Sequence, residues 1–241
     1  MMNNMLDVFS TNVSLTEEDA RGKTVVVIDV LRASSTIITG LVNGARGVIP
    51  AEDMGTAGKI AQNLDPSRYL LCGERDGKQI EGYTMGNSPS EYTAEAVLDK
   101  TLILTTTNGT KAIARAHMAS VVIIAGFLNA DAVVEYLKTV ENEILIVCSG
   151  WKGRLSLEDM LCAGYIVHAL SGGTLPDEAK DGARAAMGLY ERYRNELQET
   201  VSATNHARRL QSLGYGDDIA FCCTLNRYDV VPKIDDGIIR I

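Results

Sequence analysis

Asp29 is the first residue in this chain with a setting suited to chemistry. It follows four β-branched residues, Val25 to Ile28. Arg32, Ser34 and Ser35 come next, before apolar residues take up helical spacing at Ile37, Ile38, Leu41 and Val42. A strand that ends in an acid and opens through hydroxyls into a helix aims its chemistry at one edge of a sheet, where the ligand crevice of an open α/β sheet lies. A turn or helix-capping residue would look the same on spacing alone.

Two more strand–loop–helix units share this layout. Thr105-Thr106-Thr107-Asn108-Gly109-Thr110 has the composition of an anion nest. Gly109 lets the backbone turn, the unpaired N–H groups of a first helical turn favour negative charge, and Thr107 and Asn108 add donors. The plainer alternative is that Thr107 or Asn108 caps its helix. Cys148-Ser-Gly-Trp-Lys-Gly-Arg154 spells C-x5-R, the spacing with which cysteine phosphatases cradle phosphate between a thiolate and a bidentate Arg. Val147 stands where such enzymes usually place His, and a buried cysteine at a strand end is the alternative.

The remaining acids near expected loop ends are Glu74, Asp76, Glu158 and Asp159. Asp159 fits the capping acid of Ser156-Leu-Glu-Asp159, which leaves Glu158 freer to face a site. Asp29 lacks the second acid of a D-x-D aspartyl-phosphate motif, because Leu31 occupies that place. It suits Mg²⁺ instead, an ion held by a few carboxylates with phosphate oxygens and water. His117, His168 and His206 fall in expected helices outside any catalytic pattern and read as structural. Trp151 suits a pocket wall, a core position or a lid.

The elements that must position these residues follow from pattern. Val25–Ile28 reads as a strand buried on both faces, as do Leu102–Leu104, Val121–Ala125 and Ile144–Val147. Met5–Phe9, Gly47–Pro50 and Tyr69–Cys72 read as shorter strands. Helices are expected at Gly55–Leu64, Lys111–Met118, Asn129–Thr139 and from Ser156 to Ser171, with a capping box at Ser14–Glu17 and a helix opened by Asn87-Ser88-Pro89 that runs through Leu98. Gly73–Glu91 reads as a long functional loop. After Pro176, amphipathic helices at Glu178–Glu199 and Asn205–Leu213 lead to a short helix at Asp218–Leu225 and a strand at Ile238–Ile241. Pro232 and this late strand suggest an edge strand in a mixed sheet. The alternation gives an α/β class: a three-layer α/β/α arrangement with a mainly parallel sheet. We expect a single domain over residues 1–241, with a helical portion from about residue 176. The apolar faces of that portion suggest a homo-oligomer.

A composition of 46% hydrophobic and 22% charged residues suits a globular chain, and a net charge of −8 argues against nucleic acid or anionic membrane partners. A small anionic substrate fits if positive groups gather locally. The cysteine count of five is odd, Cys222 and Cys223 are adjacent, and no CxxC spacing occurs. These features oppose a disulfide framework or a zinc site. With no basic leader and no long apolar run, a cytoplasmic protein with reduced thiols is expected.

The segments IDVLRASST, GERDG, GNSPSEY, TTTNGT, CSGWKGRLSLEDMLCAG, DDIAFC and VVP, in this order, resemble the 2-phosphosulfolactate phosphatase (ComB-like) family of coenzyme M and sulfolactate synthesis. The resemblance spans about Leu6 to Val231. It implies an Mg²⁺-dependent phosphatase acting on a 2-hydroxy-acid phosphate monoester, with an α/β/α fold distinct from the common phosphatase superfamilies. Our own assignment of roles takes Asp29, Cys148, Arg154 and Glu158 as catalytic and Asp29 and Glu74 as metal ligands. Arg32, Ser35, Asn87, Thr107, Asn108, Gly109, Ser149 and Lys152 are assigned to substrate binding. Two routes stay open: water activated by Mg²⁺ near Asp29, which the resemblance favours, or attack by Cys148. The alternatives in function are a phosphatase of another small phospho-acid with a cysteine nucleophile, and a non-catalytic module that binds phosphorylated metabolites.

Overall fold

Unbroken apolar runs alternating with helical segments assemble into one ten-stranded sheet. The structure, a computed structural model, describes residues 6–241, so Met5 of the expected first strand lies outside the described residues. The first half contains β1 (Leu6–Phe9), α1 (Glu17–Ala20), β2 (Thr24–Ile28), α2 (Ala33–Val42), β3 (Gly47–Pro50), α3 (Met54–Ala61), β4 (Tyr69–Arg75), β5 (Lys78–Gln79), α4 (Ala94–Val97), β6 (Thr101–Thr105) and α5 (Gly109–Arg115). The second half contains β7 (Val121–Ala125), α6 (Ala130–Leu137), β8 (Ile144–Cys148), α7 (Leu157–Ser171), α8 (Asp181–Tyr193), α9 (Leu197–Ser202), α10 (Asn205–Ser212), α11 (Gly216–Cys222), β9 (Lys233–Asp235) and β10 (Ile238–Arg240).

The strand order is β1-β8-β2-β7-β9-β10-β3-β6-β4-β5. β1, β8, β2 and β7 form one parallel block, and β3, β6 and β4 form a second. Every residue of β2 is buried, as its β-branched run requires, with β8 and β7 paired along its full length. The late strand is not at an edge. It is half of the β9–β10 hairpin, which is inserted antiparallel between the blocks and makes the sheet mixed. One residue pair joins β9 to β7 (Lys233 with Ile123), and one joins β10 to β3 (Ile239 with Val48).

Those two short ladders let the sheet curl. Four strands separate β2 from β6. In a flat sheet, at roughly 4.8 Å per strand, the two would lie about 24 Å apart. Yet α5, which leaves β6, packs on β2 and α2. The sheet therefore wraps around α2, whose residues Ala33 to Leu41 are all buried. Its Ser34, Ser35, Thr36 and Thr39 hydroxyls can be buried with it because each is hydrogen-bonded, Ser34 accepting the Asp29 amide and the others donating to the Val30, Asn87 and Ser35 carbonyls. Gly40 lets α2 pack closely there, since a Cβ would fall 2.8 Å from Leu102 Cδ1 and push that side chain aside.

Strand alternation divides the packing. Val25 and Val27 share the inner core with Leu102, Leu104, Ile37 and Ile113. Val26 and Ile28 face outward with Ile146 onto Met160, Val167 and Ala183 of the outer helices. Each such fully buried aliphatic side chain is worth about 2 kcal/mol of transfer free energy. α7 and α8 approach closely over Gly164, where a Cβ would stand 2.1 Å from the Ala186 carbonyl oxygen.

Local expectations shift in three places. The capping box is Thr16 with Asp19, two residues later than expected, because Asn12–Ser14 is already a 3₁₀ turn capped by Thr11. The segment Asn87–Leu98 forms a 3₁₀ turn, Pro89–Glu91, and then α4, because Thr93 caps a new start by accepting from the Ala96 amide. The expected long loop from Gly73 is ordered by the continuation of β4 to Arg75 and its hairpin with β5.

Candidate active site

The curl brings the carboxyl ends of β2, β4, β6 and β8 together with α10. They enclose a cavity of about 260 Å³ lined by Asp29, Leu31, Arg32, Glu74, Asp76, Gly77, Asn87, Thr107, Asn108, Trp151, Lys152, His206, Arg209 and Leu210.

Asp29 is 8% exposed. Its Oδ1 accepts the Ala33 amide at 3.2 Å, and its own amide donates to Ser34 Oγ at 2.9 Å. Oδ2 accepts no hydrogen bond among the described residues. Gly109 lies against it, and a Cβ there would fall 2.7 Å from Oδ2. A glycine thus lets the start of α5 approach the carboxylate. Burial pushes the Asp29 carboxyl up to about 6; the charge of His206 and the Ala33 amide pull against burial, while Glu74 and Glu158 add to it.

Glu74 joins two loops. Oε1 accepts the Thr107 amide at 2.6 Å, and Oε2 accepts the Gly77 amide at 2.7 Å and the Thr107 hydroxyl at 3.1 Å. Arg32 is equally committed. Nη1 donates to Asp218 Oδ2 at 2.6 Å, Nη2 donates to the Gly77 carbonyl at 3.0 Å, and the guanidinium lies 4.2 Å over the Tyr215 ring. Ser88 Oγ donates to the other Asp218 oxygen at 2.6 Å. Asn87 leaves its buried Oδ1 without a partner at the pocket wall.

The β8–α7 loop is held from below by Asp159, whose Oδ1 accepts the Val30 amide at 2.9 Å and whose Oδ2 accepts the Gly150 amide at 3.1 Å. Burial, then the charges of Asp29 and Glu158, drives the Asp159 carboxyl well above the usual range. Above it, Trp151 stacks on His206 at 5.4 Å with a 21° angle between ring planes. Lys152 Nζ lies 4.8 Å from the Trp151 ring. His206 Nδ1 is 2.9 Å from Glu158 Oε1.

Of the residues expected here, Asp29, Arg32, Glu74, Asn87, Thr107, Asn108 and Lys152 line the cavity, and Gly109 abuts Asp29. Cys148 does not reach it. Strand alternation turns its side chain outward with Ile144 and Ile146, beneath α7. Its thiol lies 3.8 Å from Met160 Sδ, and burial drives it well above the usual thiol range. The C-x5-R spacing is thus no phosphate cradle. Arg154 is exposed, and its backbone closes a turn with Trp151. Ser35 Oγ donates to the Val30 carbonyl, and buried Ser149 anchors its amide on Ile28. Glu158 does not line the cavity; it acts there through His206, whose Nδ1 it holds, and through its charge on Asp29 and Asp159. His206 itself, read as structural from the sequence, lines the cavity, as do Asp76, Trp151 and Arg209.

Buried carboxylates beside Lys, Arg and His, where strand ends of an α/β sheet converge on a cavity, make this the candidate site of an α/β enzyme for a small molecule. The chain matches the description "2-phosphosulpholactate phosphatase" over residues 10–237 and belongs to that family. A relative from Caldanaerobacter subterraneus, called a probable 2-phosphosulfolactate phosphatase, is 42% identical over 236 residues, covering 98% of this chain and 97% of the relative. Proteins given the same name from Thermotoga petrophila and Thermotoga maritima are each 46% identical, covering 90% of this chain and 91% of each relative. Among the described residues, no helix is long and apolar enough to cross a membrane.

Proposed function

We propose that this protein hydrolyses 2-phosphosulfolactate to sulfolactate and phosphate with the help of Mg²⁺. Family membership and the names of the relatives support the substrate. The observation that carries the reading is the free Asp29 Oδ2, which lies against the Thr107–Asn108–Gly109 turn in a cavity that also presents Lys152 and Arg209.

The donor set suits Mg²⁺ in a limited way. Among the described residues, no group of three His, Cys, Asp or Glu is arranged as a metal site. Mg²⁺ needs only one or two carboxylates when phosphate and water complete its shell. Asp29 would hold it through Oδ2. Glu74, whose two oxygens already accept three hydrogen bonds, adds negative charge close by. When bound, the ion supplies charge neutralisation at the phosphoryl oxygens.

The chain's own groups do the rest. The Asn108 side chain and the Gly109 amide orient the phosphoryl group, since the Thr107 and Thr110 amides are given to Glu74 and to the Thr106 hydroxyl. Lys152 and Arg209, which line the cavity, supply the cations for the carboxylate and sulfonate of the substrate. Arg32 gives its charge to Asp218 and so holds the wall in place rather than adding net positive charge.

Phosphate release from 2-phosphosulfolactate, with Mg²⁺ and with excess EDTA, tests the proposal. Turnover that EDTA abolishes and Mg²⁺ restores is expected. Tight binding of the ester without turnover would replace it with a non-catalytic binding module.

A further inference from the structure

Glu158 is a carboxylate that the reaction as described does not use, in a place where a carboxylate is costly. It is 1% exposed, and Oε2 has no partner. A buried charge of this kind needs a cation held in good geometry. The group that meets it is His206, whose Nδ1 is 2.9 Å from Oε1. Both residues are set by helix starts. Ser156 caps α7 by accepting the Asp159 amide, which places Glu158 in the first turn. Thr204 caps α10 by accepting the Ala207 amide at 3.1 Å, which places His206 in the first turn opposite.

Nδ1 is taken by Glu158, which leaves Nε2, on the far side of the ring, as the second nitrogen of a residue that lines the cavity. Nε2 has no partner among the described residues. The Trp151 stack fixes the ring plane, and the same cavity holds Asp29, Lys152 and Arg209. A histidine held at one ring nitrogen by a buried carboxylate, with its other nitrogen unpartnered in a residue that lines the cavity, is the arrangement of a general acid and its positioning residue.

We infer that His206 protonates the departing alcohol oxygen of the substrate through Nε2–H, with Glu158 as its positioning residue. This rests on the phosphatase reading above. In the step, the water oxygen forms the new P–O bond and one of its protons is released to solvent. The electron pair of the broken ester P–O bond stays on the alcohol oxygen, which takes the proton from Nε2. His206 then regains a proton from solvent. A 2-hydroxy acid is a poor leaving group as its alkoxide, so the proton is needed as that bond breaks.

The test uses the full chain and 2-phosphosulfolactate carrying ¹⁸O at the bridging oxygen. The H206N and E158Q variants are first checked for native circular dichroism and melting. In H206N, kcat is expected to fall about 10²–10³-fold, within the range for general acid catalysis. The bridging ¹⁸O isotope effect is expected to rise, because the oxygen departs with charge that no proton neutralises. E158Q keeps the imidazole and is expected to shift both readouts in the same direction by less, and it serves alone if H206N does not fold. A slowed variant whose isotope effect equals that of the parent would overturn the assignment and leave His206 as a wall or binding residue. Unchanged kcat in H206N would overturn it as well. A parent that releases no phosphate fails the phosphatase reading itself, a result distinct from either of these.

Discussion

Replacing Asp29 with asparagine should stabilise the metal-free protein while abolishing its proposed turnover. The folded carboxyl is raised from 3.8 to about 6, with burial as the largest cause. Between these values the folded state holds the proton more tightly than the unfolded chain does, so stability falls as pH rises through the window. At about 1.4 kcal/mol per pH unit, the ionised Asp29 costs about 3 kcal/mol above pH 7 and roughly half of that at pH 5. Asparagine keeps the oxygen that accepts the Ala33 amide and carries no charge. Urea unfolding in EDTA, followed by far-UV circular dichroism at pH 5 and pH 7.5, should place D29N above the parent, with the gap widening at the higher pH. A gap independent of pH, or a variant less stable than the parent at pH 7.5, would refute the claim that a charge is buried there. Phosphate release measured on the same samples should fall at least about 100-fold, since a site acid held at a cost to stability is a common price of activity.

Further outcomes follow from the same geometry. R32M leaves Asp218 buried without its cation and should cost about 3–5 kcal/mol in urea unfolding; the double variant R32M/D218N should cost less than the sum of the two single changes. All five thiols are buried, so Ellman's reagent at pH 8 should react with none in the native protein and with all after denaturation. Fast native reaction of Cys148 would place it outside the core. G164A forces a Cβ onto the Ala186 carbonyl and should destabilise the protein by about 1–3 kcal/mol, or more where the α7–α8 contact cannot relax; thermal melting reads this directly.

What could be read from the sequence depended on how local its cause was. The unbroken run at Val25–Ile28 marks a central strand because burial on both faces removes alternation. The Thr105–Thr110 loop was legible because a strand end, a glycine and a helix start lie within six residues. The position of the β9–β10 hairpin was not legible, since three-residue strands carry almost no pattern and their neighbours are fixed by the curl of the whole sheet. Cys148 was misread in favour of a motif, although alternation along β8 already sorted Leu145 and Val147 to one face and Ile144, Ile146 and Cys148 to the other. His206 had no local signature: its partner Glu158 is 48 residues away and meets it only through tertiary packing.

The inserted hairpin has a consequence for synthesis on the ribosome. The pieces of both parallel blocks exist once residue 148 has emerged, but the strands that join them are residues 233–240. Until those residues leave the exit tunnel, β7 and β3 each present an unpaired edge, and the cavity lined from both blocks stays open. A nascent chain stalled before Lys233 should therefore be protease-sensitive and recruit chaperones that cover strand edges, and release of the last hairpin should convert it to the resistant form in a single step.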